Sequence, residues 1–338
     1  MHTPVPMRFR ALSVLAAASG VLLATSCGAS GPDGGDGPDE GGAGFPRTVE
    51  HAMGETEIPA APERILPLDA TYVDAALALG GEVVGYTQPA DNEETLPEYL
   101  LESEHNNGDA SGASSVGMLW ETDPELVAAA EPDLILSAEV RHGDGYEQFS
   151  EVAPTVMSED VGVSWKDNLR LTAEAMGEED EAERLIGEYE DRAAAIGEEI
   201  AEDHGGEAPT VSVVRFAGDA EGVRLYTRES YVGVILDDLG IPGGEHTETD
   251  ADDIATYHSP ERLLELEAEH IVVATYDDGE AGEVDDEKER YVTNPLWDQL
   301  EGQKTDVDDE HWMSGVGVIS AHEVLDDVAE LFDVDPQV

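Results

Sequence analysis

The chain has 338 residues, with 78 Asp and Glu against 16 Lys and Arg and a formal charge of −62. A polyanion binder needs Lys and Arg facing phosphates; only three lysines are present, Lys166, Lys288 and Lys304, and nucleic acid is excluded as a partner. With 40% hydrophobic residues the chain can bury a core, which separates it from disordered acidic chains.

Arg8 and Arg10 precede an apolar run at 11–24. Its length and flanks are those of a secretory signal rather than a membrane span. The run ends in Leu23-Ala24-Thr25-Ser26-Cys27. Small residues just before the only cysteine resemble a bacterial lipobox, which predicts a signal peptide at 1–26 and lipid attachment through Cys27. An ordinary signal peptide with an incidental cysteine is the alternative. A single cysteine forms no internal disulfide, so the exported fold relies on packing. Residues 28–44 are almost entirely Gly, Pro, Asp, Glu, Ser and Ala, a composition that buries no core. The stretch 27–46 is therefore expected to be a flexible tether holding the folded part off a membrane.

From Arg47 onward, short apolar runs alternate with helical stretches, which argues for an α/β fold. Strands are expected at 64–68, 83–86, 134–138, 210–216, 223–226 and 271–276, and helices at 72–79, 124–130, 232–239, 260–266 and 321–332. Asp123-Pro124-Glu125 leads to an acid and Leu134-Ile135, while Ser259-Pro260-Glu261 leads to Glu269 and Ile271; the two prolines are 136 residues apart. Each copy has a capping side chain, Pro at the first helical position and then a strand. Two similar lobes are expected, at 47–165 and 205–338. Between them, Leu185, Ile186, Tyr189, Ala193, Ile196 and Ile200 form one apolar stripe on a charged helix over 178–204, within a connector at 166–204. At 1.5 Å per residue such a helix reaches about 38 Å.

Several segments together resemble the ferric-siderophore-binding lipoproteins of ABC importers. They are 49–59 followed by Pro62-Glu63-Arg64-Ile65-Leu66, Ala78-Leu79-Gly80, the stretch 125–136, and Ala153-Pro154-Thr155-Val156. Trp165-Lys166-Asp167-Asn168-Leu169, 211–216, Arg224-Leu225-Tyr226, 230–240 and Asn294-Pro295-Leu296-Trp297 complete the set, in an order that covers essentially the whole mature chain. The resemblance implies two α/β lobes joined by one long helix, and a shallow cleft for a ferric chelate that closes little on binding.

In open α/β sheets, ligands sit beyond the carboxyl ends of the strands, which directs attention to Asp69, 139–142, 215–218 and 276–278. Arg141 and Arg215 fall at such ends, one per lobe, in a chain poor in cations. A guanidinium offers a planar fork of donors that suits carboxylate, hydroxamate or catecholate oxygens, although pairing with a nearby acid is the alternative. The resemblance adds that the family uses arginines at corresponding strand ends to grip iron-coordinating oxygens. Arg224 and Arg228 divide evenly between binding and pairing. Trp120, Trp165, Tyr231 and Trp312 stand in loops or at element starts, where large rings can cover the carbon skeleton of a chelate; Tyr226 and Met313 are further wall candidates, and core packing competes for each. His142, beside Arg141, divides between chelate contact and plain surface. Glu125 and Glu261 stand in first helical turns, where the helix dipole favours a carboxylate; the resemblance implies that they dock onto the two permease subunits.

No HExxH, P-loop, GxSxG or CxxC motif occurs, and the ten histidines form no ligand cluster, so neither an enzyme nor a protein-ligated metal is expected. The acid runs 250–253 and 306–309 lack the glycine and terminal glutamate of an EF-hand and read as solvated. The expected function is capture of a preassembled ferric siderophore, Fe3+ held by the chelator with no intrinsic cofactor, and delivery to an ABC permease dimer with its cytoplasmic ATPase. A hydroxamate or mixed hydroxamate and carboxylate chelate is favoured, since a strongly negative protein repels a tris-catecholate more. Cobalamin or haem capture is the alternative within the class, and an extracellular two-lobe hydrolase the alternative outside it. The expected location is the outer face of a bacterial cell membrane, as a monomer, in a saline setting that screens the charge.

Overall fold

The computed structural model describes residues 44–88, 95–218, 222–247, 253–276 and 282–337. The expected signal peptide, Cys27 and all but the last three residues of the tether lie outside them. Among the described residues no helix is long and apolar enough to cross a membrane.

Strands β1 (Arg47–His51) and β2 (Gly54–Ile58) form an antiparallel hairpin. Ala52 N donates to Met157 O at 2.9 Å and Thr56 Oγ1 to Thr155 O at 2.8 Å, so the hairpin is tied to the sheet that follows. The strands that follow, β3 (Ile65–Pro67), β4 (Gly85–Gln88), β5 (Ser114–Met118), β6 (Glu121–Thr122), β7 (Leu134–Ala138) and β8 (Thr155–Ser158), form two three-stranded sheets, and the hairpin is tied to the one that holds β8. β7 lies between β3 and β8, all three parallel, and a Ile65–Val83 bridge leads to the β4-β5-β6 group. Every residue of β3 and β7 is buried, as a parallel sheet covered on both faces requires. The expected strand at 83–86 begins at Gly85 instead, Val83 contributing only the isolated bridge.

The helices of this half are α1 (Ala70–Ala78), α2 (Glu98–Glu102), α3 (Pro124–Ala129), α4 (Glu139–His142), α5 (Tyr146–Ser150) and α6 (Trp165–Met176). Asp69 and Asp123 cap α1 and α3 through side-chain oxygens that accept first-turn N–H groups, which satisfies donors the helix leaves orphaned. Gly177, at φ +84°, ends α6 in the left-handed conformation that glycine adopts without a Cβ penalty.

The expected connector is α7 (Glu179–Asp203), 25 residues long. Its stripe of Leu185, Ile186, Tyr189, Ala193, Ile196 and Ile200 is buried, and it packs against α6 and against α8 (Tyr231–Asp238) of the second half. A Cβ at Gly197 would stand 1.9 Å from Leu239 O, so the approach to α8 is made over bare backbone.

The second half has one five-stranded sheet of β9 (Val211–Phe216), β10 (Val223–Tyr226), β11 (Ala255–His258), β12 (His270–Thr275) and β13 (Gln303–Asp306), in the order β11-β10-β9-β12-β13. β9, β12 and β13 run parallel, while β10 and β11 are antiparallel to their neighbours. The expected helix at 260–266 is a 3₁₀ helix, Pro260–Leu266. Its three-residue period stacks the buried Leu263 and Leu266 on one face, which an α-helical turn would splay apart. α9 (Glu283–Val292) follows.

The chain then returns. A π-helical turn, Glu310–Ser314, leads to α10 (Val318–Phe332), which packs on α1, α2, α6 and α7. Asp74 of α1, fully buried, accepts from Ile319 N at 3.0 Å and Ser320 N at 2.9 Å and so caps α10. The segment 205–338, expected as one lobe, thus ends in a helix that packs on α1, α2 and α6 of the other half, while α7 is the long helix that joins the halves.

Candidate functional site

Between the halves lies an open cleft of about 300 Å³. Its lining comes from the carboxyl ends of parallel strands: Asp69 after β3, Arg141 in α4 directly after β7, Arg215 near the end of β9 and Tyr276 after β12. The returning segment adds Met313 and Ser314, and the loop after β5 adds Trp120. The expected strand ends therefore do converge. Residues 277 and 278, also expected there, lie outside the described residues.

Both arginines are paired. Arg141 Nε donates to Asp69 Oδ2 at 2.9 Å, and its guanidinium lies 4.9 Å from the ring centroid of Trp120, which is 67% exposed. Arg215 Nε and Nη2 donate to the two oxygens of Asp309, each at 2.6 Å, and Nη2 also donates to Ser314 Oγ at 3.1 Å. Ser314 Oγ in turn donates to Asp309 Oδ2 at 2.9 Å. Burial opposes the charge on Arg215, but the hydrogen bonds to Asp309 outweigh it and hold its pKa above the usual arginine value. The side chains of Arg215 and Asp309 are only 11% and 8% exposed, against 25% for Arg141. Arg224 faces Arg215 across the β10–β9 register and lines the same cleft. Arg141, Arg215 and Arg224 thus line one cleft, in a chain of −62.

The aromatic expectations divide. Trp120 stands on the cleft wall, as does Met313. Trp165, Tyr231 and Trp312 do not and are corrected to core residues. Trp165 is 1% exposed and set edge-on to Tyr189 and Tyr231, at 5.1 and 6.1 Å between centroids. Tyr231 donates to Gly317 O at 2.8 Å and pairs with Ser320 Oγ at 2.6 Å, which fixes α8 to the start of α10. Trp312 is buried with its Nε1 donating to Asp327 Oδ2 at 2.7 Å. In each case the ring fills the junction of helices from distant parts of the chain. Tyr226 lines a separate small cavity beneath α8, from which its hydroxyl supports Arg215. Arg228 pairs with Asp237.

His142 is buried rather than in contact with the cleft. Its Nε2–H donates to Leu119 O at 2.8 Å, which leaves Nδ1 to accept from the Ser137 hydroxyl at 2.7 Å. Burial lowers its pKa, so the neutral ring is a strut under the loop that carries Trp120. Asp309, read as part of a solvated acid run, is the partner of Arg215. The run gave no sign of this because its cationic partner lies 94 residues away in sequence. Glu125 and Glu261 are both exposed in the first turns of α3 and of the 3₁₀ helix, and the Ser259 hydroxyl holds Glu261 below its usual pKa. Among the described residues no group of three or more His, Cys, Asp or Glu is placed to hold a metal ion.

Residues 68–306 match the profile of the periplasmic binding protein family. The chain is 32% identical to the probable siderophore-binding lipoprotein YfiY of Bacillus subtilis, over 85% of this chain and 87% of that protein. It is 25% identical to the Fe(3+)-citrate-binding protein YfmC of the same organism, over 91% and 92%. The crystal structure of Staphylococcus aureus SirA complexed with staphyloferrin B superposes with a TM-score of 0.76 at 28% identity, covering 86% of this chain and all of that one.

Proposed function

The chain belongs to the periplasmic binding protein family, and we propose from that premise that it captures a ferric siderophore outside the cytoplasm and delivers it to the permease of an ABC importer. The family binds its substrates for transport and does not transform them, so the chain is not an enzyme. The observation that carries the reading is the cleft itself, where the scarce guanidiniums of Arg141, Arg215 and Arg224 gather at strand ends from two α/β halves. Oxygen-rich, metal-bearing anions are what such a lining attracts, and Trp120 supplies a face for the carbon skeleton.

In this reading the iron arrives already wrapped by its carrier and the protein contributes no ligand to it. A hydroxamate or mixed hydroxamate and carboxylate chelate suits a cleft whose surroundings are strongly negative. Cys27 carries the lipid, 27–46 is the tether, and Glu125 and Glu261 meet the two subunits of the permease, which is served by a cytoplasmic ATPase. The surface charge suits a saline exterior, where the Debye length falls to about 3 Å at 1 M salt.

The test is a tryptophan-fluorescence titration in molar NaCl with ferric and iron-free siderophores of each chemical class. A saturable response that requires iron is expected, with Trp120 as the reporting ring. No response to any class would remove the assignment.

A further inference from the structure

The cleft contains a guanidinium, that of Arg141, whose donors the described residues do not all consume. Arg141 spends only Nε on Asp69, and among the described residues Nη1 and Nη2 have no hydrogen-bond partner. Arg215 differs, since its Nε and Nη2 are both committed to Asp309 and its side chain is more deeply buried. Resting on the capture reading, we infer that Asp69 is a positioning residue that presents the terminal edge of Arg141 to a peripheral carboxylate of the ligand, so that the cleft selects carboxylate-bearing ferric chelates.

Asp69 is suited to this by its two oxygens. Oδ1 accepts from Thr71 N at 2.9 Å and caps α1, while Oδ2 accepts from Arg141 Nε at 2.9 Å. The capping bond holds the carboxylate still, and the carboxylate sets the orientation of the guanidinium. Trp120 covers one face of the guanidinium, and the edge bearing Nη1 and Nη2 is the part left for a ligand. Two parallel N–H groups on such an edge match the two oxygens of a carboxylate. A trishydroxamate without a free carboxylate, neutral or cationic, offers no such group.

The test uses the full chain in high salt, titrated with ferric citrate, ferric aerobactin (two hydroxamates and a citrate), neutral ferrichrome and cationic ferrioxamine B. At least one of the two carboxylate-bearing chelates is expected to bind tenfold or more tighter than ferrichrome and ferrioxamine B, which carry no free carboxylate. Asp69→Asn separates the two roles of the residue, because Asn remains a good cap but its amide nitrogen cannot accept from Nε. Its affinity for the preferred chelate should fall fivefold or more while ferrichrome changes less than twofold, and the loss should vanish in an Arg141→Gln background. Should Asp69→Asn fail to fold, Arg141→Lys, which keeps the charge and loses the edge, is expected to lose the same selectivity. Tighter binding of the carboxylate chelates by Asp69→Asn would show Asp69 acting as a bare charge, and an equal loss in the Arg141→Gln background would show it acting apart from Arg141; either overturns the positioning role. Ferrichrome binding as tightly as the carboxylate chelates overturns the selection while leaving capture intact. Binding of none of the four overturns the capture reading and this inference with it.

Discussion

Replacing Asp309 by alanine should unfold the protein measurably more easily, because it strands the guanidinium of Arg215. The wild-type pair is held by two N–H···O bonds of 2.6 Å, and both side chains are about nine-tenths buried. Breaking a buried pair by removing one partner costs about 3–5 kcal/mol. The cleft admits some water to Arg215, so we take the lower end, about 3 kcal/mol, or a fall of about 5 °C in the unfolding midpoint for a chain of this size. Arg215→Met should cost less, about 2 kcal/mol, since Asp309 keeps the hydrogen bond from the Ser314 hydroxyl. The double variant Arg215→Met with Asp309→Ala removes both charges and should cost at least ~1.5 kcal/mol less than the sum of the single changes. Urea unfolding of the four proteins at one fixed salt concentration measures this. Additive costs, or an Asp309→Ala protein within 1 kcal/mol of wild type, would mean that the pair is no structural part of the cleft wall.

Other perturbations reach other parts of the argument. Gly197→Ala gains about 1 kcal/mol of helix propensity, yet its Cβ would stand 1.9 Å from Leu239 O, so a net loss of about 1–3 kcal/mol is expected; a thermal midpoint at or above wild type would show that α7 does not press on α8. Burial raises the pKa of Asp74 from 3.8 to about 7. A carboxyl raised on folding binds more protons in the native than in the unfolded state between those values, so its contribution is complete below pH 4 and is lost as pH rises towards 7. The difference in stability between wild type and Asp74→Asn should shift steadily across that window, and a difference flat from pH 4 to 7 would contradict the raised value. Trp120→Phe should abolish most of the ligand-induced fluorescence change while leaving the emission of the buried Trp165 and Trp312 in place; an unchanged response would place the reporting ring elsewhere.

What could be read from the chain alone follows from the range over which each signal acts. α7 was legible because its stripe repeats within one element, and β7, β9 and β10 because buried parallel or central strands are written as short apolar runs. β5 and β13, with Ser114-Ser115 and Gln303-Lys304, carry few apolar residues and are held in place by neighbours, so nothing local announces them. The convergence of Arg141, Arg215 and Trp120 was legible because cations are scarce and strand ends are where such sheets bind. The burial of Trp165, Tyr231 and Trp312 was not, since a large ring before a helix has the same local context whether it faces a cleft or a partner 66 residues on, as Tyr231 does for Trp165. The return of α10 to the first half was hidden for the same reason, its cap being Asp74, about 245 residues earlier.

That last helix has a consequence for how the molecule comes into being. Val324, Leu325, Val328 and Phe332 of α10 are buried in a core that includes Tyr72, Val73 and Leu77 of α1, so the first half lacks one of its layers until residues 318–332 have been synthesised. A ribosome-bound chain therefore stays incompletely packed until that helix has emerged. Docking of α10 would then act as the closing step in packing the first half.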